Sequence, residues 1–433
     1  MEIKSVLVAP GVDLSVIPSE KFKSNYFSLN FLLPLSEENI TRCNLLSAVL
    51  IRGCEKYPTS AELGRHIAML YDPDISVRTV KTPYTLIFRV NAYFLDNRFI
   101  PEKAGEDIFE DILSLLSELL VFPLLENGGL KPSYLAIEKK NQLDRIRSRI
   151  NNKNSYALYR CERLALGDIP YACDALGTPE ELEKATPESL YKLLRAILEK
   201  SRLHIVYSGS YKEGYREKIT RFAKLLTAER NEEDIIPIPK LVLPVDAESV
   251  RDEAECIDAF QSRLVLAYSM GKAPENTAPL QIFNEIFGAS PVSRLFMNVR
   301  ERLNLCYYCS SVQQSALGIM YVVSGISAEN RERVIKETEL QLKELCDPDN
   351  ITEEDMKNAV ESLLSAYRTL SDSPISYTEW VISREISGRS TDTDKYVSEI
   401  KAVTKKDVAG VAKKARLKIN YFLNGVAERG PDE

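Results

Sequence analysis

Histidine is nearly absent. The 433 residues contain two, His66 and His204, and one tryptophan. They fall in different expected elements, a helix and a strand lead-in. They therefore cannot form the pair one helical turn apart with which a helix holds catalytic zinc. Each reads as a satisfied structural imidazole, a metal or proton-shuttle role being the minority case. No DxDxDG-type loop offers calcium or magnesium a carboxylate cage, and no serine–histidine or cysteine–histidine constellation is visible. No stretch approaches the ~18 apolar residues of a membrane span. The first twenty residues lack the basic start and long apolar core of a leader. Basic charge is not in excess either: 56 Lys and Arg against 63 Asp and Glu give a net charge of −7. That balance supplies no footprint for nucleic acid or an anionic membrane surface. Eight cysteines without a secretory pattern read as reduced thiols of a cytoplasmic protein. Cys306 and Cys309 form a CxxC, but there is no second pair for a zinc knuckle. The two lie on an expected strand, pointing to opposite faces, so they read as core cysteines.

What is present is an ordinary globular composition, 44% hydrophobic and 27% charged. The length suits about three domains, or two large ones. Phe27–Leu33 reads as a buried strand and Ile40–Arg52 as a helix stopped at Gly53. Thr59 and Glu62 make a capping box for a second helix reaching about Tyr71. Ile75–Lys81 and Tyr84–Tyr93 read as a hairpin broken at Thr82–Pro83. Helical periods follow at Asp107–Leu120, Tyr134–Ile150 and Glu188–Glu199, then a strand at Leu203–Ser208. A charged stretch and Pro237, Pro239 and Pro244 mark a linker over residues 226–248. Beyond it the order repeats. LNFLLPLSEENITRCNLL near the start parallels VLAYSMGKAPENTAPLQIF from Val265. TPESLYKLLRAILEKSRLHIVYSGS from Thr186 parallels TKKDVAGVAKKARLKINYFLNG from Thr404. A duplication into residues 1–225 and 249–433 fits better than three unrelated domains. The expected fold class is α+β: two related domains, each a mostly antiparallel sheet with helices packed on one face.

The most informative stretch is Ser290–Ser311, SPVSRLFMNVRERLNLCYYCSS. Ser290 and Pro291 look like a helix start. Val292, Leu295, Phe296, Val299 and Leu303 share a face at helical spacing, with Arg294, Asn298 and Glu301 away from it and Arg300 at its border. LCYYCSSV then reads as a strand on which Leu305, Tyr307 and Cys309 share one side. A border arginine and a strand tyrosine seven residues on can aim a guanidinium and a phenol at one point. The bland alternative is a solvated arginine and a core tyrosine.

The segment SRLFMNVRERLNLCYY resembles the second-half signature of the insulinase, or mitochondrial-processing-peptidase-like (pitrilysin), zinc peptidases. GDIPYACDALGTPEEL, Gly167–Leu182, resembles another segment of that family, and the likeness extends over nearly the whole chain. It implies two related domains of the processing-peptidase-like fold in each subunit. It also implies that two subunits, or two halves of a longer chain, close around a substrate chamber. In that family the arginine and tyrosine of the signature hold substrate backbone, which assigns substrate binding to Arg300 and Tyr307.

The same resemblance places the catalytic HxxEH motif on Asn44-Leu45-Leu46-Ser47-Ala48, just before the family-like run VLIRGCEKYPTSAEL. Asn44 and Ala48 stand where the histidines would be, and Ser47 where the base would be. An alanine offers no lone pair, an asparagine amide is a poor zinc ligand, and a serine hydroxyl cannot hold a proton taken from water near neutral pH. The later glutamate ligand aligns near Arg145, with Asp144 adjacent; a cation there repels zinc.

These expectations add up to a catalytically silent subunit that binds no metal or other cofactor itself. It would pair with an HxxEH-bearing subunit of the same family, in which the zinc is expected, to cleave unfolded peptide as a heterodimeric metalloendopeptidase. The alternative is a scaffold or binding protein on the same fold with no proteolytic role. Neither reading involves nucleic acid or membrane, and both leave room for a homodimer of the isolated chain.

Overall fold

The computed structural model describes residues 3–100, 107–228, 230–244, 249–272 and 275–426. Glu229 and residues 245–248 of the expected linker lie outside them. In chain order the strands are β1 (Lys4–Ala9), β2 (Val12–Pro18), β3 (Ser24–Leu33), β4 (Asp74–Lys81) and β5 (Leu86–Leu95). A short hairpin, β6 (Leu125–Glu126) and β7 (Gly129–Leu130), precedes β8 (Arg202–Gly209). Then come β9 (Arg251–Ile257), β10 (Ser262–Ser269), β11 (Cys306–Gln314), β12 (Ile319–Ile326) and β13 (Arg416–Gly425).

Two compact units form. One sheet runs β1-β2-β8-β3-β5-β4 and the other β11-β12-β10-β13-β9. Read from the β4 and β11 edges, the two orders coincide, with β1 as an extra strand. The pairing directions coincide too. β3 is antiparallel to both β5 and β8 while β8 is parallel to β2; β10 is antiparallel to both β12 and β13 while β13 is parallel to β9. Both sheets are thus mostly antiparallel, and the duplication expected from the repeated strand–break–helix order is present in their topology.

Local chemistry explains the helices. Ser36 caps the Glu37–Leu50 helix by accepting the Asn39 N–H, and Thr59 with Glu62 closes a full capping box on Ser60–Met69. Asp107 caps Ile108–Val121, whose Ile112, Leu116 and Leu119 bury against the first sheet's core. Each unit has its own apolar core. Phe27, Phe109 and Tyr207 interlock in the first with ring centroids 5.2–6.4 Å apart. In the second, Phe283 stacks on Phe287 at 5.4 Å.

The compact units are not the stretches 1–225 and 249–433. The first comprises residues 1–147, 173–241 and 371–387; the second, 148–172, 242–370 and 388–433. Each half of the chain lends one helix to the other's sheet. Lys153–Leu166 packs on β10, β12 and β13, where the Cys161 thiol donates to the Val265 carbonyl at 3.7 Å. Pro374–Ile386 packs on β3 and β8. The exchange rests on pairings between residues hundreds of positions apart, which composition and local period do not encode.

Candidate functional site

The Ser290–Ser311 segment departs from an α-helix running straight into a strand. The Ser290 carbonyl accepts the Ser293 N–H at 3.1 Å, so Pro291 and Val292 sit in a turn, and Val292 is 54% exposed rather than packed. The helix starts at Arg294 and winds as a π-helix over Leu295–Arg302, with the Leu303 N–H reaching back five residues to the Asn298 carbonyl at 3.1 Å. Leu295 and Val299 bury; Arg294 is pinned by Asp355 at 2.5 Å and Asn298 donates to Gln341 at 2.7 Å. Asn304 ends the helix at φ +50°, a left-handed conformation that asparagine tolerates.

β11 then begins with a bulge. Cys306 pairs with Ile326 but Tyr308 pairs with Gly325, the next residue on β12, leaving Tyr307 as the extra one. The bulge breaks the two-residue alternation. Leu305, Cys306 and Cys309 are all buried, and Tyr307 stands out from the edge strand at 64% exposure. Tyr307 therefore does not share a side with Leu305 and Cys309, and the two cysteines turn to the same core rather than to opposite faces. The neighbouring Cys309 thiol, with help from the Arg300 guanidinium, holds the Cys306 thiol below its ordinary value against the opposing effect of burial. Cys309 is in turn pushed well up.

Arg300 thus lies beside the start of β11. Its guanidinium stacks on the Phe296 ring at 4.6 Å and lies 3.5 Å from Glu301, and its side chain is 41% exposed. Among the described residues Tyr307 makes no hydrogen bond, and no bond joins it to Arg300. Two adjoining elements therefore present a guanidinium and a phenol to solvent with donors left open. Tyr308 instead donates to Asn154 at 2.9 Å and covers Gly325, where an added Cβ would come within 2.4 Å of its ring.

The residues that the resemblance aligns with HxxEH are bonded within the fold. Asn44 donates to the Ala175 carbonyl at 2.9 Å, and the Ser47 hydroxyl is shared between the Cys43 and Asn44 carbonyls of its own helix at 2.8 and 2.9 Å. Gly177 takes φ +81° against Thr41, where a Cβ would come within 2.2 Å of the hydroxyl. The Gln142 amide, buried and without a signal in the sequence, ties the Thr41 and Leu176 carbonyls together at 3.2 and 2.9 Å. This region is a joint that fastens the loop before the Pro179–Lys184 helix. Arg145 lies exposed near the end of the Pro132–Ser148 helix. Asn44, Ser47, Ala48 and Arg145 do not fit zinc: they offer one amide, one back-bonded hydroxyl, one methyl and one cation. Among the described residues no group of three or more His, Cys, Asp or Glu clusters at metal-binding distance.

His66 stacks on Tyr57 at 4.4 Å, and burial, then Lys56, lowers its pKa. His204 has a role that sequence reading missed. Its Nε2 lies 3.0 Å from the Ser15 hydroxyl and 2.8 Å from Glu385, and Ser15 also donates to Glu385 at 3.0 Å. A serine–histidine–glutamate cluster therefore exists, contrary to expectation. It is not a nucleophile relay, because serine and carboxylate meet the same ring nitrogen and Ser15 is fully buried. It fastens the Pro374–Ile386 helix to the first sheet. No helix among the described residues is long and apolar enough to cross a membrane.

Residues 184–363 match the family described as Peptidase M16 inactive domain. The probable inactive metalloprotease YmfF of Bacillus subtilis is 26% identical over 423 residues, covering 96% of each chain. The crystal structure of a conserved protein from Enterococcus faecalis superposes with a TM-score of 0.89 at 25% identity, over 99% of this chain and all of that one. An M16 inactive-domain structure from Pseudomonas fluorescens does so with a TM-score of 0.79 at 16% identity, again over 99% of this chain and all of that one, and speaks for the fold alone.

Proposed function

We propose, from its likeness to inactive M16 peptidase homologues, that this chain is the substrate-binding subunit of a two-chain peptidase. The observation that carries the reading is a contrast. Asn44 and Ser47, at the motif positions, are bonded to carbonyls of the fold, while Arg300 and Tyr307 sit on adjoining elements at a sheet edge with donors open to solvent. Buried polar groups find partners inside a fold; here it is the exposed pair that is left for a ligand.

In this function the guanidinium and phenol hydrogen-bond the carbonyls of an unfolded peptide and stabilise the oxyanion as it develops. A second subunit of the same family carries HxxEH, and there the histidines hold zinc and the glutamate takes the proton from the attacking water. The pair works in the cytoplasm. The decisive experiment is the mass of the native complex from its own cell, with the companion identified, followed by reconstitution from the two purified chains. A heterodimer that cleaves unstructured peptide, with zinc only in the companion, is the expected result. A chain that alone binds stoichiometric zinc and cleaves peptide would overturn the proposal. A stable complex without any cleavage would point instead to a scaffold on the same fold.

A further inference from the structure

Behind the Arg300–Tyr307 segment the second unit holds a cleft of about 710 Å³. That volume lies within the range of small-molecule sites. Its floor is apolar: Leu303 and Leu305, which bracket Asn304, together with Leu342, Ala412 and Ala415. Its rim is basic, with Arg333, Lys336, Lys343 and Arg416.

The charges on that rim are unequal in what they have to do. Glu337 accepts from Gln341 at 2.9 Å and lies 3.7 Å from Arg302. Glu339 accepts the Tyr268 hydroxyl at 2.6 Å. Glu337 thus has a cation nearby outside the cleft, while Glu339 keeps its charge on a neutral phenol, so two carboxylates stand against four cations in the lining. Among the described residues Arg333, Lys336 and Lys343 form no ion pair and no side-chain hydrogen bond. Arg416 gives one nitrogen to the Lys413 and Ala415 carbonyls at 2.6 and 2.8 Å and keeps its charge uncompensated. An apolar trough whose lining carries four cations against two carboxylates, in a chain whose net charge is −7, is complementary to an apolar body with an anionic end.

We infer that this cleft binds a free single-chain anionic amphiphile, a medium-chain carboxylate being the simplest case. The chain lies along Leu303, Leu305 and Leu342, and the carboxylate meets Lys336, Lys343 and Arg333. The bound chain would touch the two leucines that join the Arg300 helix to β11, so occupancy would reach the segment from behind. The inference does not depend on the peptidase reading and can fail without it.

Cys346 supplies a built-in reporter. It lines the cleft, half-buried, while Cys256 is exposed and outside it. The test titrates the full chain with dodecanoate below its micelle concentration, with dodecanol and dodecyltrimethylammonium as controls. Binding is followed by calorimetry and by the rate of iodoacetamide alkylation at each cysteine, read by mass spectrometry. Dodecanoate should bind near one equivalent and slow Cys346 at least about fivefold without slowing Cys256. It should also bind about fivefold or more tighter than dodecanol, as two or three exposed ion pairs allow. The double variant Lys336→Gln/Lys343→Gln should lose roughly that factor while keeping its melting temperature. Equal binding of dodecanol, unchanged Cys346 reactivity, unchanged affinity in the double variant, or binding only to phosphatidylglycerol vesicles would each overturn the inference.

Discussion

Glu379, on the helix lent by the second half of the chain, neutralises Arg89 of β5, whose guanidinium is 2% exposed. Arg89 also donates to Asn30 at 2.6 Å, and Asn30 in turn donates to the His204 carbonyl at 3.1 Å. Arg78 shares the same carboxylate at 2.7 Å. The helix is thus held to the first sheet by charge as well as packing. Glu379→Ala leaves a buried guanidinium without its counter-ion. Glu379 is itself about one-third exposed, so water can partly compensate, and the expected loss is roughly 3 kcal/mol, at the low end for a broken buried pair. Arg89→Met with Glu379→Met removes both charges and should recover most of it. Urea unfolding of Arg89→Met, Glu379→Met and their double completes the cycle, and a strictly additive double would contradict the pairing.

A second expectation concerns acid. Burial pushes Asp107 up, but hydrogen bonds from Lys218 at 2.5 Å and Asn97 at 2.9 Å outweigh it and hold the carboxyl below its ordinary value. A depressed acid stabilises the fold fully above its unfolded value of about 3.9. The contribution disappears as pH falls through the lowered folded value, where the folded carboxylate must take up a proton. Asp107 also caps its helix by accepting the Phe109 N–H at 3.1 Å. Asp107→Asn should cost about 1 kcal/mol at neutral pH and flatten the decline of stability as pH falls below the ordinary carboxyl value of about 3.9. Thermal melts of both proteins across that range measure it; an unchanged acid slope would assign the decline to other carboxylates.

The sequence carried the fold wherever the determinants are local. Thr59 with Glu62 marked a helix start by its own chemistry, the hairpin of β4 and β5 by its alternation, and the duplication by strand and helix signals recurring in one order. The candidate residues were legible as residue types, not as placements. Three things were not. The bulge at Tyr307 is set by its register with Ile326 and Gly325 on another strand, so a two-residue period put Tyr307 with the core. The π-helix keeps the same apolar residues as an α-helix while changing its turn, and a pattern of four-residue spacings serves both. The Ser15–His204–Glu385 cluster spans separations of 189 and 370 residues, and its last member arrives on an exchanged helix.

Restoring the motif alone should not restore chemistry. In Asn44→His/Ser47→Glu/Ala48→His the new side chains enter a region bonded to the Ala175 loop and held by Gln142. The third ligand position still carries a cation at Arg145. Zinc also needs neighbours that orient its ligands, and their loss typically costs 10–100-fold in affinity. The triple variant is expected to hold well under one equivalent of zinc after dialysis and to show no peptide turnover. Stoichiometric zinc with measurable hydrolysis would mean that the fold still holds the groups that orient zinc ligands despite the substitutions.

Arg300 and Tyr307 allow function to be separated from folding. Both side chains are substantially exposed, and among the described residues Tyr307 has no hydrogen-bond partner to lose. Arg300→Ala gives up a cation–π contact with Phe296 and an exposed ion pair with Glu301, each worth about 0.5–1 kcal/mol at most at an exposed site, and Tyr307→Phe loses almost nothing. A leftover pair would therefore be silent in every assay. A working pair would be silent in stability and assembly but not in turnover, where the loss of one preorganised donor costs about 10²–10³ in kcat. In the reconstituted heterodimer, Arg300→Ala should fall by that factor with the affinity between subunits unchanged. Arg300→Lys should recover only part of it, because an ammonium cannot reproduce the fork of a guanidinium. Tyr307→Phe should lose less than Arg300→Ala, since a neutral hydroxyl is the weaker donor. Turnover unaltered by both Arg300→Ala and Tyr307→Phe, in a complex that still cleaves, would remove the pair from the chemistry and leave the chain a supporting role.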